Sequence, residues 1–220
     1  MVKNILVIGA DSELAKEFIN SKSNKNTNFY KVSRNIKESD IEVKNYLIDS
    51  QKISEFAEKI PSCLVIFFNG FIAENRPEQY PSRNEIALTY EINFKIPYFL
   101  TQELLPLKNI KKFIYISSIA AVKPRFKNYI YGNCKSLLEE SIGAIGIKNF
   151  LFLRFGKINT KMSKNHKNVV FTLETKQAAK LIYKNLKKNG IKYPNYSLKF
   201  ISILLMLVPK KIINNVEKKL

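Results

Sequence analysis

The feature that most constrains this chain is an alternation of short, nearly continuous apolar runs with stretches of helical periodicity. Lys3–Ile8, Phe29–Val32, Tyr46–Ile48, Cys63–Phe68, Phe113–Ile116 and Phe150–Arg154 have strand length and few polar residues. Between them Ser12–Asn20, Ile53–Lys59, Glu85–Leu105, Tyr131–Ile145 and Lys176–Lys187 read as helices, with Pro97 as the point for a kink. Strands that are apolar throughout are buried on both faces, and strands separated by helices pair in parallel. The expected fold is α/β, a single doubly wound parallel sheet with its ligands at the carboxyl ends of the strands. No repeat or flexible linker divides the 220 residues. One domain over 1–195 is therefore expected, followed by a basic, apolar helical tail over 196–220.

Composition narrows the classes further. At 45% hydrophobic and 25% charged residues the chain is not of the disordered type. Two cysteines, Cys63 and Cys134, make neither a disulfide framework nor a metal site of usual spacing. That suits a reducing compartment. The opening MVKNILVIGA has too short an apolar run for a signal peptide and reads as a first strand, so a cytoplasmic location is expected. The formal net charge is +19, carried almost wholly by lysine; the arginines are Arg34, Arg76, Arg83, Arg125 and Arg154. Bidentate base reading favours arginine, so no sequence-specific nucleic-acid reader is expected. The lysines are either a solvated surface or an attraction toward anionic substrates, cofactor phosphates or an anionic membrane.

The first strand runs into Gly9-Ala10-Asp11-Ser12-Glu13-Leu14-Ala15 and then a helix. A small residue at such a turn lets the backbone approach a phosphate, and the helix start offers free N–H groups. Only one of the usual three glycines is present, and an ordinary βα turn would read the same way. The second strand ends at Ser33-Arg34 with no acid at its tip. An acid there binds a ribose 2′-hydroxyl, whereas an arginine accommodates a 2′-phosphate. NADP(H) is thus favoured over NAD(H), the alternative being that Arg34 is a surface cation. Asp49 either meets the adenine or simply begins the next helix.

Tyr131 and Lys135 stand at i and i+4 and share a helix face. A free phenol titrates near pH 10, too high for a base at neutral pH. A neighbouring ammonium favours the phenolate, the tuning that proton transfer needs. Alone the pair is common. Its setting adds Ser117-Ser118 after an apolar strand and Asn93 on the preceding helix, although the serines also suit a helix cap and Asn93 a buried structural amide.

Taken together, these pieces resemble the short-chain dehydrogenase/reductase family. The resemblance runs from about Lys3 to Tyr183. It is carried by GADSELA, by FNG with Asn69 and Gly70, by Asn93, by ISSIAA, by YGNCK and by RFGKINTKM. It implies a Rossmann fold, a nicotinamide cofactor and a tetrad of Asn93, Ser118, Tyr131 and Lys135. In that family Tyr131 would be the acid/base and Ser118 would orient the substrate oxygen. Lys135 would hold the nicotinamide ribose and tune Tyr131, and Asn93 would support a water relay. Gly9, Ser12, Glu13 and Leu14 would meet the pyrophosphate. Gly156, Ile158 and Thr160 would lie toward the nicotinamide. The sequence departs from the pattern where Glu13 and Ala15 replace glycines, where FNG replaces NNAG and where Phe155 replaces a proline. The segment from Met162 to Thr172 is short for a substrate lid. His166, the only histidine, reads as a surface loop residue. Substrate-lining side chains are expected from 71–74, 120–128 and 156–166.

From Lys176 to Leu220 there are eleven lysines and one acid, Glu217. Within this region Leu198–Val208 is apolar except for Lys199 and Ser202. As a helix it is too short to cross a bilayer. Either it packs on the body or at a dimer interface, or residues 197–211 lie on a membrane with Lys187, Lys188, Lys192, Lys199, Lys210 and Lys211 toward anionic lipids. The GxxSE-type turn and the tail also look similar to the subgroup that includes the keto-reductase partner in decaprenylphosphoryl-ribose epimerisation. The leading expectation is an oxidoreductase acting on a small-molecule or lipid-linked carbonyl or alcohol, as a homodimer or homotetramer. The alternative is a non-catalytic nucleotide-binding regulatory or scaffold protein of the same fold.

Overall fold

The computed structural model describes residues 4–21, 26–73, 79–163 and 172–219. Five central strands are β1 (Asn4–Ile8), β2 (Asn28–Ser33), β4 (Cys63–Phe67), β5 (Ile110–Ser118) and β6 (Phe150–Phe155). Short edge strands β3 (Ile41–Glu42) and β9 (Gly190–Lys192) complete a seven-stranded sheet in the order β3-β2-β1-β4-β5-β6-β9. Every pairing in it is parallel. A separate two-stranded pair joins β7 (Ile158–Asn159) to β8 (Leu173–Glu174).

The strands are apolar throughout because both faces are covered. One face of the sheet, through Leu6, Ile8, Val65, Phe67, Tyr115 and Phe152, packs on Leu100 and Leu104 of α4 (Ile96–Leu104) and on Leu138 and Ile142 of α5 (Tyr129–Ala144). The alternate residues Ile5, Val7, Ile66, Ile114, Leu151 and Leu153 pack on Leu14 and Phe18 of α1 (Glu13–Ile19) and on Ala178 and Ile182 of α6 (Thr175–Asn185). This is the period of two expected of a strand, with an apolar partner on each side. Phe67, Tyr115 and Phe152 stack across three strands at centroid distances of 5.1 and 4.5 Å.

Two expected elements differ. Tyr46–Ile48 is a turn, not the third strand, and Ile48 is 82% exposed. The Asp49 carboxylate accepts from the N–H groups of Lys44 and Asn45, and Asn45 Oδ1 accepts from Leu47 and Ile48. Local side-chain bonds of this kind compete with a strand ladder. The helix expected over Glu85–Leu105 is three pieces: α3 (Arg83–Tyr90), a π turn (Glu91–Lys95) and α4. Pro97 lies at the start of α4 rather than at a simple kink. Having no N–H, it cannot return a bond to Asn93, and the widened π turn sits where that bond would be. Helix α2 (Ser50–Glu58) lies between β3 and β4.

The tail is two helices, α7 (Tyr196–Leu207) and α8 (Lys210–Lys219), separated at extended Val208 and Pro209. Of α7, Leu198 and Ser202 are buried on the body, while most of its apolar run is exposed on the single chain. No helix among the described residues is long and apolar enough to cross a membrane.

Candidate active site

In the strand order β1 is flanked by β2 and β4, so the chain leaves the sheet in opposite directions on either side of it, and a crevice opens at the carboxyl ends. Gly9 closes β1 with φ +80, a left-handed conformation that favours glycine. Its N–H and that of Ala10 both reach Val32 O, at 3.0 and 3.1 Å. A Cβ on Gly9 would stand 3.1 Å from Asn69 N, so the turn and the FNG loop touch. Ser12 caps α1 through Ala15 N. The next amides, of Glu13 and Leu14, are in the first helical turn, where N–H groups lack intrahelical partners. Glu13 does not point into the crevice. Its carboxylate accepts from Lys161 N at 2.7 Å and lies 3.9 Å from Lys161 Nζ. An acid in a glycine's place is thus turned away from where a phosphate would lie.

The crevice is lined by Gly9, Asp11, Ser12, Arg34, Lys44, Tyr46, Asn69 and Gly70, among others. Arg34 and Lys44 bring two cations to its β2–β3 side. Asp49 is not on it. Its carboxylate is committed to the 44–49 turn, whose N–H groups hold it below the usual carboxylate range. Asp49 stands at the N-cap of α2, the other role expected of it, and both of these bonds go to its Oδ2. The residue that sequence reading missed here is Tyr46, hidden by its assignment to a strand. Its hydroxyl bonds the Asn69 side chain and the Gly9 backbone, and burial pushes its pKa upward, with Asp11 adding to the rise. Asn69 Oδ1 is buried with no partner among the described residues. Two cations and a glycine turn fit a nucleotide phosphate, and the orphaned acceptor fits a hydroxyl or amine donor of the same ligand; the acids Asp11 and Glu91, which also line the crevice, do not fit a phosphate.

Two strands along, β5 ends at Ser118. Neighbouring strands lie about 4.8 Å apart, so this end is roughly 10 Å from Gly9 along the sheet edge. Ser118 caps the short turn Ile119–Ala121 through Ala120 N and hydrogen-bonds Tyr131. The approach of α5 depends on Gly132, where a Cβ would be 2.7 Å from Ala120 O and 3.1 Å from Pro124. Tyr131 is buried, and burial pushes its phenol up to about 12; the bond from Ser118 opposes this. Lys135 Nζ donates to Ile116 O at 3.0 Å and lies 5.6 Å from the Tyr131 ring centroid. Burial pulls its ammonium down to about 8, against the Coulombic influence of Cys134 and Glu139. The sequence reading had Lys135 lowering the Tyr131 pKa. Here burial outweighs every opposing influence on Tyr131, and the opposing bond comes from Ser118.

Asn93 is fully buried in the π turn. Its Nδ2 donates to Phe71 O at 2.6 Å and to Thr89 O at 2.8 Å, and its Oδ1 receives Phe71 N. It ties the loop after β4 to the helix. Beyond β6, Gly156 precedes β7, and Ile158 is paired with Leu173. Thr160 N donates to Ser163 Oγ, while the Ser163 hydroxyl reaches Ile158 O. Ser163, buried, holds this segment and was not singled out in the sequence. Met162 Sδ would be 3.4 Å from a Cβ on Gly70, so the segment reaches back to the FNG loop. Glu74 and the span containing His166 lie outside the described residues.

Behind the site a polar cluster is buried. Ser117 donates to Glu139 at 2.6 Å, Arg154 grips Glu139 through Nε and a guanidinium nitrogen, and Arg154 also reaches Tyr193 OH at 2.9 Å. Ser202 of α7 donates to the same hydroxyl at 2.9 Å. One chain of bonds thus runs from β5 to the tail.

No protein-family model matches the sequence, and no curated relative matches it. Solved structures do. A short-chain dehydrogenase from Burkholderia cenocepacia J2315 in complex with NADP aligns with a TM-score of 0.73 at 15% identity, over 94% of this chain and 98% of that one. ElxO with NADP bound gives 0.72 at 14% identity, over 91% and 100%. The oxidoreductase yciK from E. coli gives 0.70 at 15% identity, over 87% and 93%. The fold of this chain is the Rossmann fold of the short-chain dehydrogenase/reductases.

Proposed function

We propose that the protein is an NADP(H)-dependent oxidoreductase that passes a hydride between the nicotinamide and a carbonyl or alcohol carbon, with Tyr131 moving the proton. The observation that carries this is the Tyr131–Ser118 hydrogen bond at the carboxyl end of β5, one helical turn from buried Lys135. The same sheet edge holds the glycine turn and the cations Arg34 and Lys44. The neighbours named as NADP complexes support the cofactor choice.

The bound nicotinamide supplies the hydride chemistry. The chain's own residues do the rest. The Gly9 turn, the Ser12 hydroxyl and the amides of Glu13 and Leu14 would receive the pyrophosphate, and Arg34 with Lys44 the 2′-phosphate. Tyr46, Asn69 and Gly70 form the wall under the adenosine. Gly156, Ile158 and Thr160 offer backbone and hydroxyl groups near the nicotinamide. A phenol held protonated by burial suits donation to a carbonyl oxygen, so reduction is the favoured direction. Ser118 orients that oxygen, Lys135 binds the ribose, and Asn93 is a positioning residue for the 71 loop.

The substrate is a carbonyl on a sugar or lipid-linked sugar, a reading supported by the apolar cationic tail beside residues 123–127. The enzyme acts in the cytoplasm at the inner face of the membrane. Self-association is assigned to α4 and α5, where Phe99, Leu137 and Leu105, just past the end of α4, are exposed. The rival is a nucleotide-binding scaffold without chemistry. Tyr131→Phe should leave NADPH fluorescence titration unchanged and reduce turnover on a carbonyl panel by at least a hundredfold, about the size of a lost acid/base. Undiminished biological activity in that variant would leave the scaffold standing.

A further inference from the structure

Helix α7 presents Tyr196, Phe200, Ile203 and Leu207 at i, i+4, i+7 and i+11, a single stripe along the helix. The stripe faces away from the body: Tyr196 is 91% exposed, Phe200 62% and Leu207 74%. Ile212 and Val216 are likewise exposed on α8. The exposure is not that of a loose segment, because the opposite sides of both helices are fastened. Leu198 and Ser202 are buried, and Ser202 is bonded into the Tyr193–Arg154–Glu139 cluster. Lys123 Nζ donates to Leu205 O, Met206 O and Val208 O, capping the end of α7. Asn214 and Glu217 accept from the backbone of Phe126 and Lys127, and Lys218 lies over the Phe126 ring.

The charge around the stripe has one sign. Lys192, Lys199, Lys210 and Lys211 are exposed. The only acid after Lys176, Glu217, is turned inward to Arg125 at 3.3 Å. A second copy of the chain meeting this face about a two-fold axis would bring lysines onto lysines with no acid between them. An anionic lipid surface satisfies both the apolar stripe and its cationic rim. Twelve residues of helix span about 18 Å against a hydrocarbon core of about 30 Å, so the helix lies in the plane.

We infer that α7 and α8 form an in-plane docking surface for an anionic bilayer, fastened to the 123–127 segment between Ser118 and Tyr131. Docking sets that side of the site at headgroup level, where an amphiphilic substrate presents its polar end. The surface stands independently of the proposed chemistry.

The test is co-sedimentation of the full chain with vesicles of phosphatidylcholine alone and of equal parts phosphatidylcholine and phosphatidylglycerol. Binding is expected to the anionic vesicles, weakening with salt. The triple variant Phe200→Ser, Ile203→Ser, Leu207→Ser changes only outward residues. It should keep the wild-type melting transition and lose on the order of a hundredfold or more in partition. Tyr131→Phe should bind vesicles as the wild type does, which separates this inference from the oxidoreductase reading. Unaltered partition in the triple variant, or equal binding to neutral vesicles, overturns it. So does a wild-type dimer that the triple variant converts to monomer without any vesicle binding, which would make the stripe an interface between copies.

Discussion

Replacing Lys135 by methionine probes the buried ammonium directly. Lys135 is 4% exposed, and burial lowers its pKa from 10.5 to about 8. In the unfolded chain it titrates at its ordinary value. Below about pH 8 the ammonium is charged in both states, and the folded protein bears the full cost of holding it away from water. Between about 8 and 10.5 the unfolded chain binds a proton that the folded chain has released, so stability rises with pH across that window. The gap between the two values corresponds to roughly 3 kcal/mol. Methionine is of similar length and removes the charge, along with the bond to Ile116 O, worth about 1 kcal/mol. The cofactor-free variant should therefore be about 2 kcal/mol more stable than wild type at pH 7. The advantage should shrink and then reverse slightly by pH 10.5. Cys63 and Cys134, raised by burial from 9.0 to about 11, lower stability above pH 9. Both proteins carry them, so to first order they cancel in the difference. Urea unfolding at a series of pH values measures that difference. A gap independent of pH would refute the argument, because Lys135 would then not be paying for its charge by burial.

Two other substitutions address geometry and cofactor choice. Gly132→Ala gains up to about 1 kcal/mol of helix propensity but overpacks against Ala120 O and Pro124 at roughly 1–3 kcal/mol. The melting temperature should fall and turnover should fall more than tenfold, since the strain separates Tyr131 from Ser118; a variant at least as stable and active would show that the contact yields freely. Arg34→Ser removes a charged partner worth about 1.5–3 kcal/mol, so NADPH should bind on the order of ten- to a hundredfold more weakly while NADH is unchanged. Equal losses for both cofactors in fluorescence titration would take Arg34 off the 2′-phosphate.

Much of the fold was legible because a parallel sheet writes itself as unbroken apolar runs, and β1, β4, β5 and β6 do so. The short strand Ile41–Glu42 carries no such signal. Tyr46–Ile48 mimicked a strand because hydropathy does not register the four backbone N–H bonds that the side chains of Asn45 and Asp49 accept. The grouping of Ser118, Tyr131 and Lys135 was legible because they lie on one strand end and one helix face. The state of Tyr131 was not, because its pKa is set by burial, which a spacing of four residues does not encode. That the Glu13 carboxylate must point away from a phosphate follows from its charge, but its partner, Lys161 N, is 148 residues away and no local pattern reveals it. The Glu139–Arg154–Tyr193 cluster is invisible for the same reason.

The clasp of α8 on the 123–127 segment joins stretches far apart in sequence: Phe126 N meets Asn214 Oδ1 across 88 positions and Lys127 N meets Glu217 across 90. The segment beside Tyr131 is thus held from outside the sheet, by a helix that contributes no strand to it. A change confined to residues 210–219 would be felt at the wall of the site and not in the sheet.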